Sequence, residues 1–360
     1  MLDPSLKGKP VAVGGGVVMA ASYEAKAYGV RSGMPGLRAK LLCPDLINVP
    51  GHLSEYSRLS DEVFEICNDF TPIVEKISID EAFLDVSGSR HLFGKPGSIA
   101  RTIRRRVKAE TGLAISVGVA RTKFLAKIGS QVAKPDGLIA IPPDYELEFL
   151  HPLPVRLMWG VGPVTQAKLA EYGVETTGDL ADLPETTLGG RLGNGVARHL
   201  SALSWNWDPR GVTPTHRAKS VSWQSGFGRR KINHAFINKT LHDLADRVAS
   251  RLRKKDRNCR TITVRIRFGD MSSITRSLTL RTPVSTTEAL YDASIELVAS
   301  GLADHPEHDE VSLLSVGASG LSFGTALQLE LPLVFDDTSL RPGSELGRKH
   351  HDLDKAIDSV

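Results

Sequence analysis

The stretch Lys76-Ile-Ser-Ile-Asp-Glu-Ala-Phe-Leu-Asp-Val86 places two neighbouring carboxylates, Asp80 and Glu81, inside a run of β-favouring residues. Successive side chains of a continuous strand point to opposite faces of a sheet. The two carboxylates can therefore share a site only where the chain bends, at a tight hairpin or a bulge. A carboxylate pair on such a corner offers the hard oxygen ligands that Mg²⁺ takes together with substrate phosphates. A hairpin whose acidic side chains simply face water is the alternative that the stretch alone leaves open.

Regular elements follow this stretch and alternate along the chain. Ser98–Gly112 has apolar residues at helical spacing and ends at a glycine, which predicts an amphipathic helix. Ile115–Ala120 alternates as a strand does, Arg121–Ala133 is helical in spacing, and Leu138–Ile141 is a further strand. Before that strand, Lys134-Pro-Asp-Gly137 is typical of a tight turn, which would hold the ammonium group of Lys134 in one direction. The alternation is typical of an α/β or α+β sheet domain.

Nearer the N-terminus, Ser22–Gly29 is predicted to form a short helix closed by its glycine. Tyr23 and Lys26 are three residues apart and therefore share a face. A phenol and an ammonium on one face can bind phosphate oxygens. A half-buried tyrosine beside a surface lysine explains the same pattern, so both interpretations stay open.

Two glycine turns occur within residues 152–204, at Gly160-Val161-Gly162 and at Gly193-Asn-Gly195. Backbone N–H groups at a helix start, where glycine allows close approach, form an anion site. The first turn has the spacing of a helix-hairpin-helix, which binds a nucleic-acid phosphate without reading bases. Glycine turns between helices are common, so the two together indicate more than either alone.

Length and composition exclude several classes of protein. A chain of 360 residues is long for one core and predicts several domains. It contains no run of about 18 apolar residues, so we expect no transmembrane helix and no membrane partner. Cys43, Cys67 and Cys259 are far apart and have no metal-binding spacing, which fits a reduced, cytoplasmic setting.

Positive charge is concentrated in one segment. Residues 216–281 contain 17 Lys/Arg and 4 Asp/Glu, a net charge of +13, whereas the whole chain has a net charge of +4. Within it, residues 259–268 and 274–281 alternate as two strands, and their polar sides carry Arg265, Arg267 and Arg281 among threonines and serines. Flanking helices complete a β-α-β-β-α-β order. The scarcity of acidic residues favours contact with phosphates, and a solvent-facing sheet is the alternative.

The tail after residue 320 has little periodicity. An apolar cluster within it is formed by Leu331, Leu333 and Phe335. Such a cluster is typical of a segment that docks on a partner protein, although it can equally pack against its own domain.

Taken in order, these motifs resemble those of the Y-family DNA polymerases, of the DinB or DNA polymerase IV type. The likeness runs over nearly the whole chain and is carried by Ser22–Pro35, Ser78-Ile-Asp-Glu-Ala-Phe83, Gly118–Lys127, Ala133-Lys-Pro-Asp-Gly137 and Gly160-Val-Gly-Pro163. The resemblance implies an α+β multidomain fold: a right-hand polymerase of palm, fingers and helix-hairpin-helix thumb, with a ferredoxin-like β-α-β-β-α-β little finger. The implied limits are a partial palm start at 1–10, fingers at 11–55, palm at 56–150, thumb at 151–204, a linker at 205–217, the little finger at 218–320 and a tail at 321–360.

The resemblance also implies a function. The chain would be an error-prone translesion DNA polymerase of DNA repair and damage tolerance, a cytoplasmic monomer that adds dNTPs to the primer 3′-hydroxyl of primer-template DNA. Asp80 and Glu81 would be its catalytic carboxylates and would hold two Mg²⁺ ions. The incoming triphosphate would be bound by Tyr23, Lys26 and Lys134. DNA would be contacted by Gly160, Val161, Gly162, Arg265, Arg267 and Arg281, and the sliding clamp by Leu331, Leu333 and Phe335.

Three departures from the family pattern motivate an alternative. The family's palm begins with a strand, Asp-Met-Asp-Ala-Phe-Phe, that supplies another metal-binding aspartate and an aromatic gate against ribonucleotides; we expect this strand to precede Asp3, outside the sequence. Lys26 stands where the family has an arginine, and Ala20 where it commonly has a hydroxyl residue. Glu330 replaces the glutamine of the clamp motif. The alternative is a catalytically impaired or inactive DNA-binding relative.

Overall fold

The computed structural model describes residues 3–215, 217–323 and 345–358. The chain divides into two compact units, Met1–His216 and Arg217–Val360. Each unit has its own hydrophobic cores and is described by itself.

The first unit contains short strands and many helices. Its strands are β1 (Val11–Val13), β2 (Ala20–Ala21), β3 (Ile47–Val49), β4 (Val74–Lys76), β5 (Ala82–Leu84), β6 (Val117–Val119) and β7 (Leu138–Ala140). Its helices are α1 (Tyr23–Ala27), α2 (Gly36–Leu42), α3 (Leu53–Asn68), α4 (Arg90–Phe93), α5 (Pro96–Thr111), α6 (Lys123–Val132), α7 (Glu146–Leu150), α8 (Pro163–Ala170), α9 (Thr177–Ala181), α10 (Glu185–Leu192) and α11 (Asn194–Ser204). Short 3₁₀ turns occur at Pro4–Leu6, Ser87–Ser89, Pro143–Tyr145 and Val155–Leu157.

These strands form three small sheets. Strand β1 pairs antiparallel with β2 and parallel with β3, β4 pairs antiparallel with β5, and β6 pairs parallel with β7. Helices α3 and α5 pack together over the β4–β5 hairpin through a core that includes Ile66, Val74 and Ile103. Alternation of strands with amphipathic helices is therefore present, as the sequence predicts.

Helix α6 positions most of the groups discussed below. The Thr122 hydroxyl caps its start by accepting from the Leu125 amide at 3.2 Å. Phe124 and Leu125 are fully buried, and the helix packs closely against β6. A Cβ added at Gly118 of β6 would lie 2.0 Å from the Ala126 carbonyl oxygen, so only glycine permits this spacing.

The second unit is one sheet covered by helices. It comprises β8 (Ser220–Lys231), α12 (His234–Arg253), β9 (Arg257–Phe268), β10 (Ser273–Val284), α13 (Thr287–Ala303), β11 (Glu310–Ser319), β12 (Ser322–Phe323) and α14 (Glu345–Asp358). The main sheet has the order β10-β9-β11-β8 with every neighbour antiparallel, and β12 pairs with β9. The β-α-β-β-α-β order is confirmed, and each crossover helix joins strands that have one other strand between them.

Alternation along β9 sorts its side chains onto two faces, as predicted. Ile262, Val264 and Ile266 are fully buried on the side of α12 and α13, and Arg265 is exposed on the other. Helix α12 starts at His234 because the Asn233 side chain caps it, and β9 follows from Arg257.

The segment predicted as a linker is partly anchored within the first unit. The Asn206 amide donates to Glu146 Oε2 at 2.8 Å, and the backbone amide of Thr213 donates to Glu75 Oε2 at 2.8 Å. These contacts join residues 60 and 138 positions apart, which hydrophobic periodicity cannot reveal.

Helix α14 is held on the second unit by a buried guanidinium. The Arg253 side chain is 2% exposed and donates to Asp354 at 3.0 Å and to Asp358 at 2.7 Å. Asp354 also accepts from the Thr287 amide at 2.8 Å, and so caps α13 in place of Thr286, whose buried hydroxyl has no hydrogen-bond partner among the described residues. The tail thus contains a helix that its sequence did not indicate. The predicted clamp cluster Leu331, Leu333 and Phe335 lies outside the described residues.

Across the described ranges of the chain, no helix is both long enough and apolar enough to cross a membrane.

Candidate active site

The two carboxylates lie at the tip of the β4–β5 hairpin. The amides of Ile77 and Ser78 both donate to the carbonyl oxygen of Glu81, at 2.9 and 3.2 Å. Asp80 is exposed within this bend, and its carboxylate accepts from the Ser78 hydroxyl. The chain therefore bends where a shared carboxylate site requires it to bend.

Helix α6 brings two lysines to the hairpin, one helical turn apart on the same face. Lys127 Nζ donates to Glu81 Oε2 at 2.7 Å, and Lys123 Nζ donates to the carboxylate of Glu75. The side chains of Lys123 and Glu75 are 10% and 4% exposed, whereas those of Lys127 and Glu81 are 23% and 43% exposed. We call Lys123–Glu75 the inner pair and Lys127–Glu81 the outer pair. The inner pair attaches the helix to the hairpin, and the outer pair leaves Glu81 accessible to water and ligands.

Two aromatic rings lie beside these lysines. The ring centroids of Phe83 and Trp159 are 5.9 Å apart. Lys123 Nζ is 4.9 Å from the Phe83 centroid, and Lys127 Nζ is 5.4 Å from the Trp159 centroid. The guanidinium of Arg210 lies 4.8 Å from the Trp159 ring on the same cluster. Because Trp159 directly precedes the first glycine turn, this cluster joins that turn to the carboxylate hairpin.

Asp208 adds a buried carboxylate at the start of α6. It accepts from Arg210 Nε at 2.6 Å and from the backbone amide of Phe124 at 3.1 Å. Burial alone would raise the pKa of Asp208, but the hydrogen bonds from Arg210 and Phe124 favour the charged form and lower the pKa below its ordinary value. An ionised Asp208 is favourable there because it faces the positive end of the helix.

The candidate triphosphate ligands occupy two other places. Lys26 Nζ lies 4.8 Å from the ring centroid of Tyr23 on α1, and Tyr23 is 53% exposed. Lys134 is exposed in the turn after α6, where Arg104 Nη2 donates to Asp136 Oδ1 at 2.9 Å. Among the described residues, no hydrogen bond or ion pair joins either place to the carboxylate hairpin. Joint action of Tyr23, Lys26 and Lys134 on one triphosphate stays a prediction.

Asp80 and Glu81 fit a divalent metal that shares its coordination with a substrate. Mg²⁺ is commonly held by one or two carboxylates together with water and phosphate oxygens. Within residues 3–215, 217–323 and 345–358, no three His, Cys, Asp or Glu side chains are grouped so as to hold a metal. The hairpin therefore supplies two hard ligands, and the remaining ligands of such a metal must come from elsewhere.

The first glycine turn leads directly into α8. Gly160 has a φ of +101°, which favours glycine, and Gly162 is the residue that precedes the helix. The side chain of Val161 is buried, so the turn can present only backbone groups to a ligand. The second turn is shorter, since Gly193, with a φ of +82°, directly precedes α11, and Asn194 and Gly195 already belong to the helix.

The arginines of the open sheet face differ in their surroundings. Arg265 is exposed and donates to Ser273 Oγ at 3.1 Å on the neighbouring strand. Arg267 is partly buried, and its Nε donates to Ser312 Oγ at 2.9 Å. Arg281 is exposed within the irregular part of the β9–β10 pairing, between Thr279 and Val284. Arg265 and Arg281 are therefore available to a polyanion, whereas Arg267 is partly engaged in the fold.

The sequence analysis missed Lys123, Lys127 and Glu75. Glu75 carries a weak signal, because an acidic residue in a buried strand requires a partner. The two lysines carry another, since they recur at a spacing of four on a helix whose other residues are uncharged. Neither signal identifies which cation faces which carboxylate.

Three segments of the chain match known protein families. Residues 1–131 match the impB/mucB/samB family, residues 143–174 the IMS family HHH motif, and residues 218–331 the impB/mucB/samB family C-terminal domain. DNA polymerase IV 2 of Mesorhizobium japonicum is 55% identical over all of this chain and 87% of its own length. DNA polymerase IV of Desulfatibacillum aliphaticivorans is 39% identical over 99% of this chain and 88% of its own length.

Solved structures agree with these matches. The chain resembles the "Y-family DNA polymerase chimera Dbh-Dpo4(243-245)-Dbh" with a TM-score of 0.77 and 26% identity, over 89% of this chain and 94% of the other. DinB from Sulfolobus solfataricus is similar with a TM-score of 0.60 and 26% identity, over 88% of this chain and 93% of the other. The chain therefore belongs to the Y-family DNA polymerases, among relatives of the DNA polymerase IV type.

Proposed function

We propose that the chain is a template-directed translesion DNA polymerase that adds dNTPs to a primer 3′-hydroxyl. The observation that supports this most is the hairpin tip with Asp80 and Glu81, because an accessible carboxylate pair, with a lysine beside Glu81, suits metal-assisted nucleotidyl transfer. The names of its relatives, DNA polymerase IV, support a DNA polymerase reaction, and a place in DNA repair and damage tolerance rests on the sequence resemblance.

The incoming dNTP would be bound by groups on α1 and on the turn after α6. The ammonium groups of Lys26 and Lys134 would neutralise triphosphate oxygens, and the Tyr23 hydroxyl would donate to one of them. The contact of Lys26 with the Tyr23 ring keeps these two groups on one face. Because lysine lacks the bidentate fork of arginine, we expect Lys26 to bind the triphosphate with little directional preference.

Asp80 and Glu81 would hold two Mg²⁺ ions, which when bound would activate the primer hydroxyl and neutralise charge on the triphosphate. Before the nucleotide arrives, Lys127 compensates the charge of Glu81, and the Ser78 hydroxyl orients Asp80. Glu81 must then exchange part of this ion pair for its new ligands. Water reaches both side chains, which are 23% and 43% exposed, so this exchange should cost little free energy.

Primer-template DNA would be bound through its phosphates. The backbone groups of the Gly160–Gly162 turn would contact one phosphate, and Arg265, Arg267 and Arg281 would neutralise others. We keep the predicted domain limits as part of the proposal, with fingers at 11–55, palm at 56–150, thumb at 151–204, linker at 205–217 and little finger at 218–320. Clamp binding by Leu331, Leu333 and Phe335, the monomeric state and the cytoplasmic location rest on the sequence resemblance alone.

The test is Mg²⁺-dependent extension of a labelled primer on a template with a single-stranded overhang. The proposal predicts template-directed addition that stops when Mg²⁺ is chelated. Tight DNA binding without any extension would instead establish the alternative, a DNA-binding relative without catalysis.

A further inference from the structure

The second unit carries a depression on the side of its sheet opposite the open face. It measures about 360 Å³ and lies between the edge strand β8 and helix α12. The residues that line it are Trp223, Asp246, Arg247, Ser250, Arg251 and Lys254. Ser222 and Gln224 point to the open face, so Trp223 between them points to the helical side.

The chemistry of this depression is that of a cationic surface with one aromatic ring. Arg247, Arg251 and Lys254 are exposed, and within the described ranges of the chain none of the three forms an ion pair. The lining holds three cations against one carboxylate, Asp246, and the nearby Asp358 is paired with Arg253 at 2.7 Å. The local field is therefore positive.

Trp223 is exposed at the edge of this positive surface. It is 41% exposed, although its strand neighbour Val221 is buried under the helices. The guanidinium of Arg247 lies 5.3 Å from the Trp223 ring centroid, which holds the ring beside the cations. Exposure of a large ring costs hydrophobic burial, so the position is suited to a ligand with a flat apolar face.

We propose that this depression binds single-stranded nucleic acid, with a base stacked on Trp223 and the flanking phosphates on Arg247, Arg251 and Lys254. Proteins that hold single strands without reading sequence combine these two features, an aromatic platform and a cationic groove. An acidic peptide would satisfy the cations but would leave the ring without a stacking partner. The inference rests on the proposed function only in that a template overhang would be the natural source of the strand.

The test measures binding of a fluorescent oligothymidylate of about 12 nucleotides to the full chain, with the open face occupied by saturating blunt duplex. Trp223→Ala should weaken binding about tenfold, whereas Trp223→Phe, which keeps an aromatic face, should stay within about threefold of the parent. The double variant Arg251→Gln/Lys254→Gln should lower the slope of log K against log salt by about 1.4. Lys239→Gln, an exposed cation of the same helix outside the depression, serves as the matched control and should change nothing.

Parent-like binding by Trp223→Ala would overturn the proposal. So would a poly-glutamate peptide that displaces the oligonucleotide and binds the Trp223→Ala variant as well as the parent, because that result would make the site a peptide site. Primer extension separates this outcome from failure of the proposed function. Trp223→Ala should extend a primer at the parental rate on a one-nucleotide overhang, and a parent chain that extends no primer would contradict the proposed function alone.

Discussion

The carboxylate hairpin and the open sheet face of the second unit both carry charge, but they hold it differently. At the hairpin, Glu81 and Glu75 each have a lysine partner at hydrogen-bonding distance. On the sheet face, Arg265 and Arg281 are exposed cations set among hydroxyl side chains, without a carboxylate partner in the described part of the chain. The first region fixes a few groups, whereas the second repeats one kind of group along regular strands.

This difference teaches what each region can do. A reaction needs particular atoms in fixed positions, so loss of one carboxylate should abolish it. Binding to a polyanion sums many weak contacts, so loss of one arginine should only weaken it. The two regions should therefore respond to single substitutions by very different amounts.

The largest effect is expected at the hairpin tip. Asp80→Asn or Glu81→Gln should each lower the rate of primer extension by about a thousandfold or more, because a neutral amide replaces a charged metal ligand. Single-turnover extension at saturating dNTP measures the rate. Asp61→Asn, which alters another exposed carboxylate of the same unit, is the matched control and should extend like the parent. Parental rates in both hairpin variants would remove Asp80 and Glu81 from the active site.

The second effect concerns stability. Lys123→Met should lower the free energy of unfolding by about 3 kcal/mol, because it removes the cation that pairs with the buried carboxylate of Glu75. The double variant Lys123→Met/Glu75→Gln should recover part of that loss, and urea unfolding followed by circular dichroism measures both. A cost below about 1 kcal/mol for Lys123→Met would mean that water or another group compensates Glu75.

A smaller effect is expected on the sheet face. Arg265→Glu should weaken duplex DNA binding about tenfold. It should also lower the slope of log K against log salt by about 0.9, the amount expected for one lost phosphate contact. Fluorescence anisotropy at several salt concentrations measures both quantities, and Lys239→Glu on α12 is the control. Arg265 is preferred to Arg267, because the hydrogen bond from Arg267 to Ser312 would add a stability change. Unchanged affinity would exclude this face as a DNA contact.

The smallest effect is expected at the outer ion pair. Lys127→Met should change the free energy of unfolding by less than about 1 kcal/mol, because the Glu81 partner is 43% exposed and screened by water. It should nevertheless lower the extension rate a few-fold, since Glu81 loses the group that orients it. Equal loss of stability in Lys127→Met and Lys123→Met would contradict the distinction between outer and inner pairs.

Local patterns were sufficient to predict the parts of the fold that repeat. The alternation of Ile262, Val264 and Ile266 with polar residues predicted the two faces of β9, and adjacent Asp80 and Glu81 required a bend that the hairpin provides. Contacts between distant segments could not be read in this way. Lys123 meets Glu75 across 48 residues, and Arg253 meets Asp358 across 105, so neither pair leaves a periodic trace.

The central claim is that the hairpin performs the chemistry and the sheet face contributes to binding. One experiment tests it directly: primer extension and DNA affinity measured side by side for Asp80→Asn and Arg265→Glu. The account predicts that Asp80→Asn keeps parental affinity and loses extension, while Arg265→Glu loses affinity and, at saturating DNA, extends at the parental rate. Parental extension by Asp80→Asn, or loss of extension by Arg265→Glu at saturating DNA, would contradict it.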